Sequence, residues 1–541
     1  MSVNPISLEV IRESITSVAE EMKTVLMRSA RAPLLKEAGD LSCALTDGEG
    51  RTVAQGKDIP MHLGVMAFTV KEFLKRVPVA SLRKGDQFIT NLTELGGNHL
   101  PDVKLIKPIF VEKGTKRELI TFSINLAHWP DVGGALPGSY VPWATEIYQE
   151  GLQIPPIKLF TSEGPVEEVM QFVLMNVRNP NERRGDILAQ FAANEFAERR
   201  ILSIVAEHGL EEVLASFEHF FGESEALVRS AIEKILDGTY EGEDFLDNDG
   251  VDDQPVRVKA RITVERDEIE FDFDGTDPLV RGPVNTTRFI AAASSYYCVK
   301  VLVANEASVN EGFFRPIRVK VPSNCLLDAQ GRKVPVVGGN HETSQRIVDA
   351  VFKALAPAFP ERIVAGGPTT SGLLLFSGKK ENGEVFTLYE VHGGGEGASF
   401  NRDGTSGVRV HMSNVMNTPV EALEMAYPLR VEKSALREGS GGMGRHQGGE
   451  GIIRAYRVLA DSAMVTTMVE REKIPPWGIF GGEDGKPYQI TLISNGKSIP
   501  VSGKKTLNLL QDDLLVIETA GGGGYGTANC EETASVEVDN S

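Results

Sequence analysis

The sequence predicts a multidomain α+β protein: an N-terminal mixed α/β domain carrying a metal site, followed by β-rich, glycine-rich domains. Three observations predict it. The chain has 541 residues, more than one compact core accommodates. Its first half alternates segments of helical period with segments of strand period, and its last third is crowded with glycine clusters between short β-like runs. The divisions are expected near 1–240, 241–450 and 451–541.

Asn4-Pro5 opens a long amphipathic helix over 6–30, because Ile6, Val10, Ile11, Ile15, Val18, Met22, Val25 and Leu26 recur at helical spacing. Residues 41–45 form a short strand that ends in the turn Thr46-Asp47-Gly48, with Asp40 just ahead of it. The apolar runs 105–111 and 119–126 read as buried strands. A second helical block covers 181–220, with Ile187, Leu188, Phe191, Phe196, Ile201, Leu202 and Val205 as its core-facing stripe. Residues 237–253 carry 8 Asp or Glu and almost nothing apolar, so a solvated loop or hinge is expected. Strict alternation over 256–273 predicts a hairpin that opens the second domain. The glycine clusters at 366–367, 393–397, 439–451, 481–482 and 521–526 read as tight turns and bulges, with anion binding by their backbone amides as the sharper alternative.

Composition narrows the function classes. A formal net charge of −19 repels nucleic acid and anionic membrane. Cys43, Cys298, Cys325 and Cys530 lie far apart without a CxxC pair, which fits a reducing cytoplasm. The opening residues have no basic-then-apolar leader pattern, and no apolar run approaches membrane-spanning length. No GxxxxGK[ST] loop is present, so nucleotide binding by this chain is not expected.

The chemistry concentrates in two loops, Gly96-Gly97-Asn98-His99-Leu100-Pro101-Asp102 and Ala127-His128-Trp129-Pro130-Asp131-Val132-Gly133-Gly134. Each holds His-x-x-Asp beside glycines, and these two histidines are drawn from only 9 in the chain. Imidazole and carboxylate together form the ligand set of Zn, Mn or Fe(II) when a position is left open for water or substrate. The runs 105–111 and 119–126 place both loops on one sheet, so the two could close on one ion.

Further segments recur in order along the chain: EAGDLSCAL at 37–45, GGNHLPDV at 96–103, AHWPDVGGALPGS at 127–139, QEGLQIPP at 149–156, RNPNERRGDILAQ at 178–190, NHETSQRIVDA at 340–350, SGGMGRHQGGEG at 440–451 and GGGGYG at 521–526. Together they resemble the hydantoinase B family, the second subunit of ATP-dependent cyclic amidases. The resemblance implies a hydantoinase A-type partner that binds ATP and Mg and phosphorylates the substrate oxygen. This chain would then complete hydrolysis of the hydantoin or lactam at a divalent metal, Zn or Mn, within a hetero-oligomer of (αβ)2 or larger. It further implies His99, Asp102 and His128 as metal ligands, with Asp40 as another ligand or an acid behind them. Asp131 is the candidate to orient an imidazole or serve as the base. The alternatives are a subunit of a ketone carboxylase of acetone or acetophenone type, and a non-catalytic scaffold for the ATP-binding subunit. Asn98, Trp129-Pro130 and Glu396 depart from the family pattern and bear on substrate, with Trp129 a candidate pocket wall. Arg346 and Arg445-His446 are candidates to bind phosphate or the partner.

Overall fold

The computed structural model describes residues 4–97, 99–114 and 116–528; Asn98 and Cys530 lie outside the described residues. A seven-stranded antiparallel sheet carries the two histidine loops. Its strands are β1 (Leu41–Asp47), β2 (Thr52–Gln55), β3 (Gln87–Thr90), β4 (Asp102–Lys113), β5 (Lys116–His128), β6 (Ile157–Thr161) and β7 (Gly164–Pro165), in the order β2-β1-β5-β4-β3-β6-β7. The register sets Asp102 opposite His128 and Leu41 opposite Ala127, so the start of β1, the start of β4 and the end of β5 share one edge.

Helices cover both faces of this sheet. Pro5–Ser29 begins where Asn4 caps the amide of Ile6 at 2.9 Å, and it buries Ile11, Ile15, Val18, Met22 and Leu26 against the sheet and the helix Pro180–His208. The block expected over 181–220 is two helices, Pro180–His208 and Leu210–Ile232, parted at Gly209 with φ of 83°. On the opposite face Val65–Arg76 packs Met66, Val70 and Phe73 onto Phe88, Ile106, Phe122 and Ile124. No helix among the described residues is long and apolar enough to cross a membrane.

The acidic segment is not a solvated loop. Gly238–Leu246 is a strand paired with Val256–Glu265, and the four-stranded sheet they begin continues through Glu268–Asp272 and Ile317–Lys320. Five of the segment's eight acids are exposed, but three are buried partners: Asp247 accepts from the amides of Glu472 and Ile474, Asp249 from those of Val251, Asp252 and Gly282, and Asp244 from the guanidinium of Arg471. Composition alone marked these acids as water-facing, and the buried donors come from far along the chain. Residue 240 lies inside a strand, and Leu429–Arg437 pairs with Gly451–Val458 across residue 450. Two further sheets, one of four strands and one of five, draw on residues from Leu373–Lys379 to Leu514–Glu518.

The glycine clusters include turns, with positive φ at Gly439, Gly481 and Gly526, but many of their glycines are where backbones pack directly on one another. A Cβ on Gly521 would sit 2.0 Å from the carbonyl oxygen of Ser440, on Gly522 1.9 Å from that of Glu396, on Gly523 2.0 Å from that of Trp477, and on Gly524 2.2 Å from that of Met443. The contact returns to the 440–443 segment after three residues, the period of a polyproline II strand. Hydrogen bonds run outward in the same directions, from Gly522 to Gly449, Gly523 to Gly366 and Gly524 to Glu483, so these amides are spent on protein carbonyls. Gly522→Ala forces a methyl into a backbone oxygen and is expected to destabilise the protein by about 3 kcal/mol. A urea midpoint unchanged from the parent chain would refute this reading of the bundle.

Candidate metal centre

The strand register assembles the first ligand pair. Asp102 opens β4 and His128 closes β5, directly across from one another. His99 sits one turn ahead of β4, where its carbonyl accepts from the Asp102 amide at 3.2 Å. Asp102 Oδ1 is 3.0 Å from His99 Nε2 and 3.0 Å from His128 Nδ1, and the two nitrogens are 3.2 Å apart. Ligand atoms each about 2.0–2.1 Å from a tetrahedral ion stand roughly 3.3 Å from one another, so the triangle has the size of a metal site.

Electrostatics agree. His99 Nδ1 donates to the carbonyl of Val337 at 3.0 Å, which points the Nε2 lone pair of a neutral ring at the Asp102 carboxylate. Two acceptors so close repel unless a cation, a proton or a metal ion, lies between them. Burial pushes the Asp102 carboxyl up, but the His99 charge and hydrogen bonds from three imidazoles outweigh it and hold Asp102 well below the usual range. Burial likewise lowers His99, and the charge and hydrogen bond of Asp102 reverse the direction. His99, Asp102 and His128 are all buried, and His128 Nε2 has no hydrogen-bond partner. Two imidazole nitrogens and a carboxylate oxygen fit a divalent ion such as Zn or Mn.

Asp40 is also brought here. Its carbonyl accepts from the His128 amide at 3.1 Å, it lines the same cavity as His99 and His128, and its charge acts on His99, Tyr389 and Arg409. Asp131, by contrast, is no partner of the imidazoles. Its carboxylate accepts from the amides of Gly133, Gly138 and Arg178 and from the Arg178 guanidinium at 2.8 Å, anchoring the loop that leaves β5. The roles of imidazole orienter and base assigned to it are therefore withdrawn; the Val337 carbonyl orients His99.

Four of the chain's 9 histidines meet at this point, two of which sequence spacing did not single out. His62 accepts or donates at Nδ1 with Ser42 Oγ at 2.8 Å, and its Nε2 stands 3.4 Å from Asp102 Oδ2. His341 arrives on the π-turn Gly339–Thr343 that precedes the helix Ser344–Leu355. Its Nδ1 donates to Glu342 Oε1 at 2.8 Å, leaving Nε2 buried, unpartnered and able to accept a proton. Burial first, and then the charges of His99 and His128, keep this ring well below the usual histidine range and so neutral. Burial also lifts the Glu342 carboxyl to about 7. Tyr140 and Tyr389 close the rest of the wall, their hydroxyls 3.3 Å apart. The advance signal for His341 was its place in the NHETSQRIVDA segment, and for His62 only the scarcity of histidine itself.

These groups enclose a cavity of about 20 Å³ lined by Asp40, His99, His128, Asn340, His341, Tyr389 and Arg409. A water needs about 10–15 Å³, so the chamber holds an ion or a water and no organic ring. Arg409 forms the partition to a surface cleft of about 270 Å³ that includes Tyr297, Phe352, Arg362 and His411. A second cavity, of about 640 Å³, lies on the far side of Ile59.

The remaining candidates are elsewhere. Trp129 is buried against the helix Pro180–His208, its Nε1 donating to Gln190 Oε1 at 3.1 Å, so it packs and does not wall the pocket. Arg346 is fully buried with Asp244, Asp349 and Thr369 and does not line the cavity. Arg445 lies over Phe400 and Tyr525 at the glycine bundle, away from the cavity residues.

Fold and site together give a multidomain architecture of mixed sheets and helices around a buried His-Asp-His cluster of the size of a metal site. The hydantoinase B/oxoprolinase profile matches residues 4–528, and the chain belongs to that family. An uncharacterized protein of Methanocaldococcus jannaschii is 36% identical over 528 residues, covering 97% of this chain and 91% of that protein. 5-Oxoprolinase 1 of Arabidopsis thaliana is 32% identical over 550 residues, covering 96% of this chain, which spans only 42% of the plant protein. Among solved structures, the ATP-dependent caprolactamase of Pseudomonas jessenii aligns with a TM-score of 0.91 and 27% identity, covering 97% of this chain and 92% of that one. A nucleotide-free acetone carboxylase shares the fold, with a TM-score of 0.87 at 19% identity over 97% of this chain and 76% of that one.

Proposed function

We propose that this chain is the metal-bearing subunit of an ATP-dependent cyclic amide hydrolase, acting on a hydantoin or lactam activated by a hydantoinase A-type partner. The observation that carries the proposal is the triangle of His99 Nε2, Asp102 Oδ1 and His128 Nδ1. An unactivated lactam is a poor electrophile; phosphorylation of its oxygen by the partner activates the ring carbon to water, the ring C–N bond then breaks as nitrogen takes a proton, and the acyl phosphate left is hydrolysed to carboxylate and phosphate. A divalent ion held by His99, Asp102 and His128, with Asp40 as further ligand or nearby acid, supplies Lewis acidity and lowers the pKa of water from about 15.7 towards 7.

The chain's own residues do the rest. His341 Nε2, with its tautomer set by Glu342, is placed to take the proton that water gives up as it attacks the ring carbon. Tyr140 and Tyr389, whose hydroxyls burial keeps protonated, exclude bulk water and present O–H donors. Arg409 donates to Ser371 and Ser413 in the chamber wall, and its charge faces an anionic phosphorylated ring at the partition. Because the chamber is too small for a ring, Arg409 has to swing aside for the ring to reach the ligands from the outer cleft.

The test is reconstitution with an A-type subunit, ATP and a panel of hydantoins and lactams, alongside elemental analysis of the purified chain. Near-stoichiometric Zn or Mn and ring opening independent of bicarbonate are expected. Turnover that requires bicarbonate would assign the chain to carboxylation, and full turnover without bound metal would leave it a scaffold.

A further inference from the structure

Glu150 lies in the QEGLQIPP segment and has no place in the chemistry above. It is fully buried, and its partners are two backbone amides and no basic side chain among the described residues. Val336 N donates to its two oxygens at 2.9 and 3.0 Å, and Val337 N donates to Oε1 at 2.8 Å. Burial lifts this carboxyl to about 8 against the lowering effect of the two amides, so ionising it here is costly, and both its oxygens are spent on holding this one stretch of backbone.

What they fix is the pair of peptides just before the one on which His99 depends, and so the backbone torsions of Val336 and Val337. The carbonyl of Val337 accepts from His99 Nδ1 at 3.0 Å, and a carbonyl only accepts, so this bond selects the Nδ1–H tautomer and frees Nε2 for the ligand cluster. The amide of Gly338 donates to Pro283 at 2.7 Å, holding the same stretch from the other side. The π-turn Gly339–Thr343, which delivers Asn340 and His341, starts one residue later. A change in the Val337 backbone torsions would therefore displace both a metal ligand and the proton acceptor. We propose that Glu150 is a positioning residue, clamping the Val336-Val337 amides so that the Val337 carbonyl holds His99 in the tautomer and orientation that bind a divalent ion.

This inference rests on the metal reading of the cluster, and the experiment separates the two. The full chain, labelled with 15N-histidine and stripped with chelator, is compared with Glu150→Gln, whose amide group brings N–H donors against the Val336 and Val337 amides. The His99 resonance is assigned with His99→Gln. At a pH high enough to keep the ring neutral, His99 of the parent chain is expected as the Nδ1–H tautomer; in Glu150→Gln this signature is expected to be lost, with the zinc dissociation constant raised about 10–100-fold in competition with a chromophoric chelator. An unchanged tautomer and zinc affinity within twofold of the parent would overturn the proposal. So would an Nε2–H tautomer in the parent chain, a result that stands even if the variant fails to fold. A parent chain that retains no zinc counts against the metal reading, while the tautomer comparison still decides the role of Glu150.

Discussion

Replacing His128 by alanine is expected to strip the divalent ion and lower turnover of the reconstituted enzyme about 10³-fold or more. The estimate follows from Lewis-acid stabilisation of several kcal/mol, with each 1.36 kcal/mol worth a factor of ten. The two ligands that remain, His99 and Asp102, sit three residues apart on one turn and touch each other at 3.0 Å. A cation held from one side only is readily lost. Substitution also leaves Asp102 Oδ1 with a single imidazole partner, so the fold survives with its carboxylate still satisfied by His99 and near His62. Elemental analysis and ring-opening rate read the effect together. Retained metal with full rate would dismantle the assignment.

Arg471→Met is expected to destabilise the protein by about 3–5 kcal/mol, because it strands buried carboxylates. The guanidinium donates to Asp244 Oδ2 at 2.8 Å, to Asp349 Oδ2 at 2.7 Å and to Thr369 Oγ1 at 2.9 Å, tying the strand Gly238–Leu246 to the helix Ser344–Leu355. Burial pushes the Asp244 carboxyl up, and Arg471 followed by Arg346 and Lys353 more than reverse that, so it is depressed in the folded protein. A depressed carboxyl contributes stability above its unfolded value of about 3.9 and loses it as pH falls through the folded one. The gap between parent and variant is therefore widest near neutrality and narrows below pH of about 4. Denaturant unfolding at the two pH values checks both size and sign, and a pH-independent gap would reject the account.

His99, Asp102 and His128 were legible in the sequence because adjacent antiparallel strands convert short spacing into contact. A hairpin whose strands start at Asp102 and end at His128 has to place those residues together. The same spacing misled at Asp131. The chain after His128 leaves the sheet, and a local loop with Arg178 claims the carboxylate, so an equal offset in sequence is not an equal offset in space. His62, His341 and Glu150 come from other elements, joined to the cluster only by tertiary packing, and no periodicity reports that. The opening helix and the central strands followed from apolar period. The acidic strand did not, since the donors that bury its carboxylates, Gly282, Arg471, Glu472 and Ile474, lie later in the chain.

The four glycines at 521–524 set an order of assembly. Each is walled by the carbonyl of an earlier segment, at Ser440, Glu396, Trp477 and Met443. On the ribosome those walls are synthesised first, and the rod that fills the space between them emerges afterwards. Until it arrives, carbonyls such as Gly449, Gly366 and Glu483 await their donors. The rod can dock only once its walls are made, and the stretch that composition reads as tight turns and bulges is the piece on which those walls close.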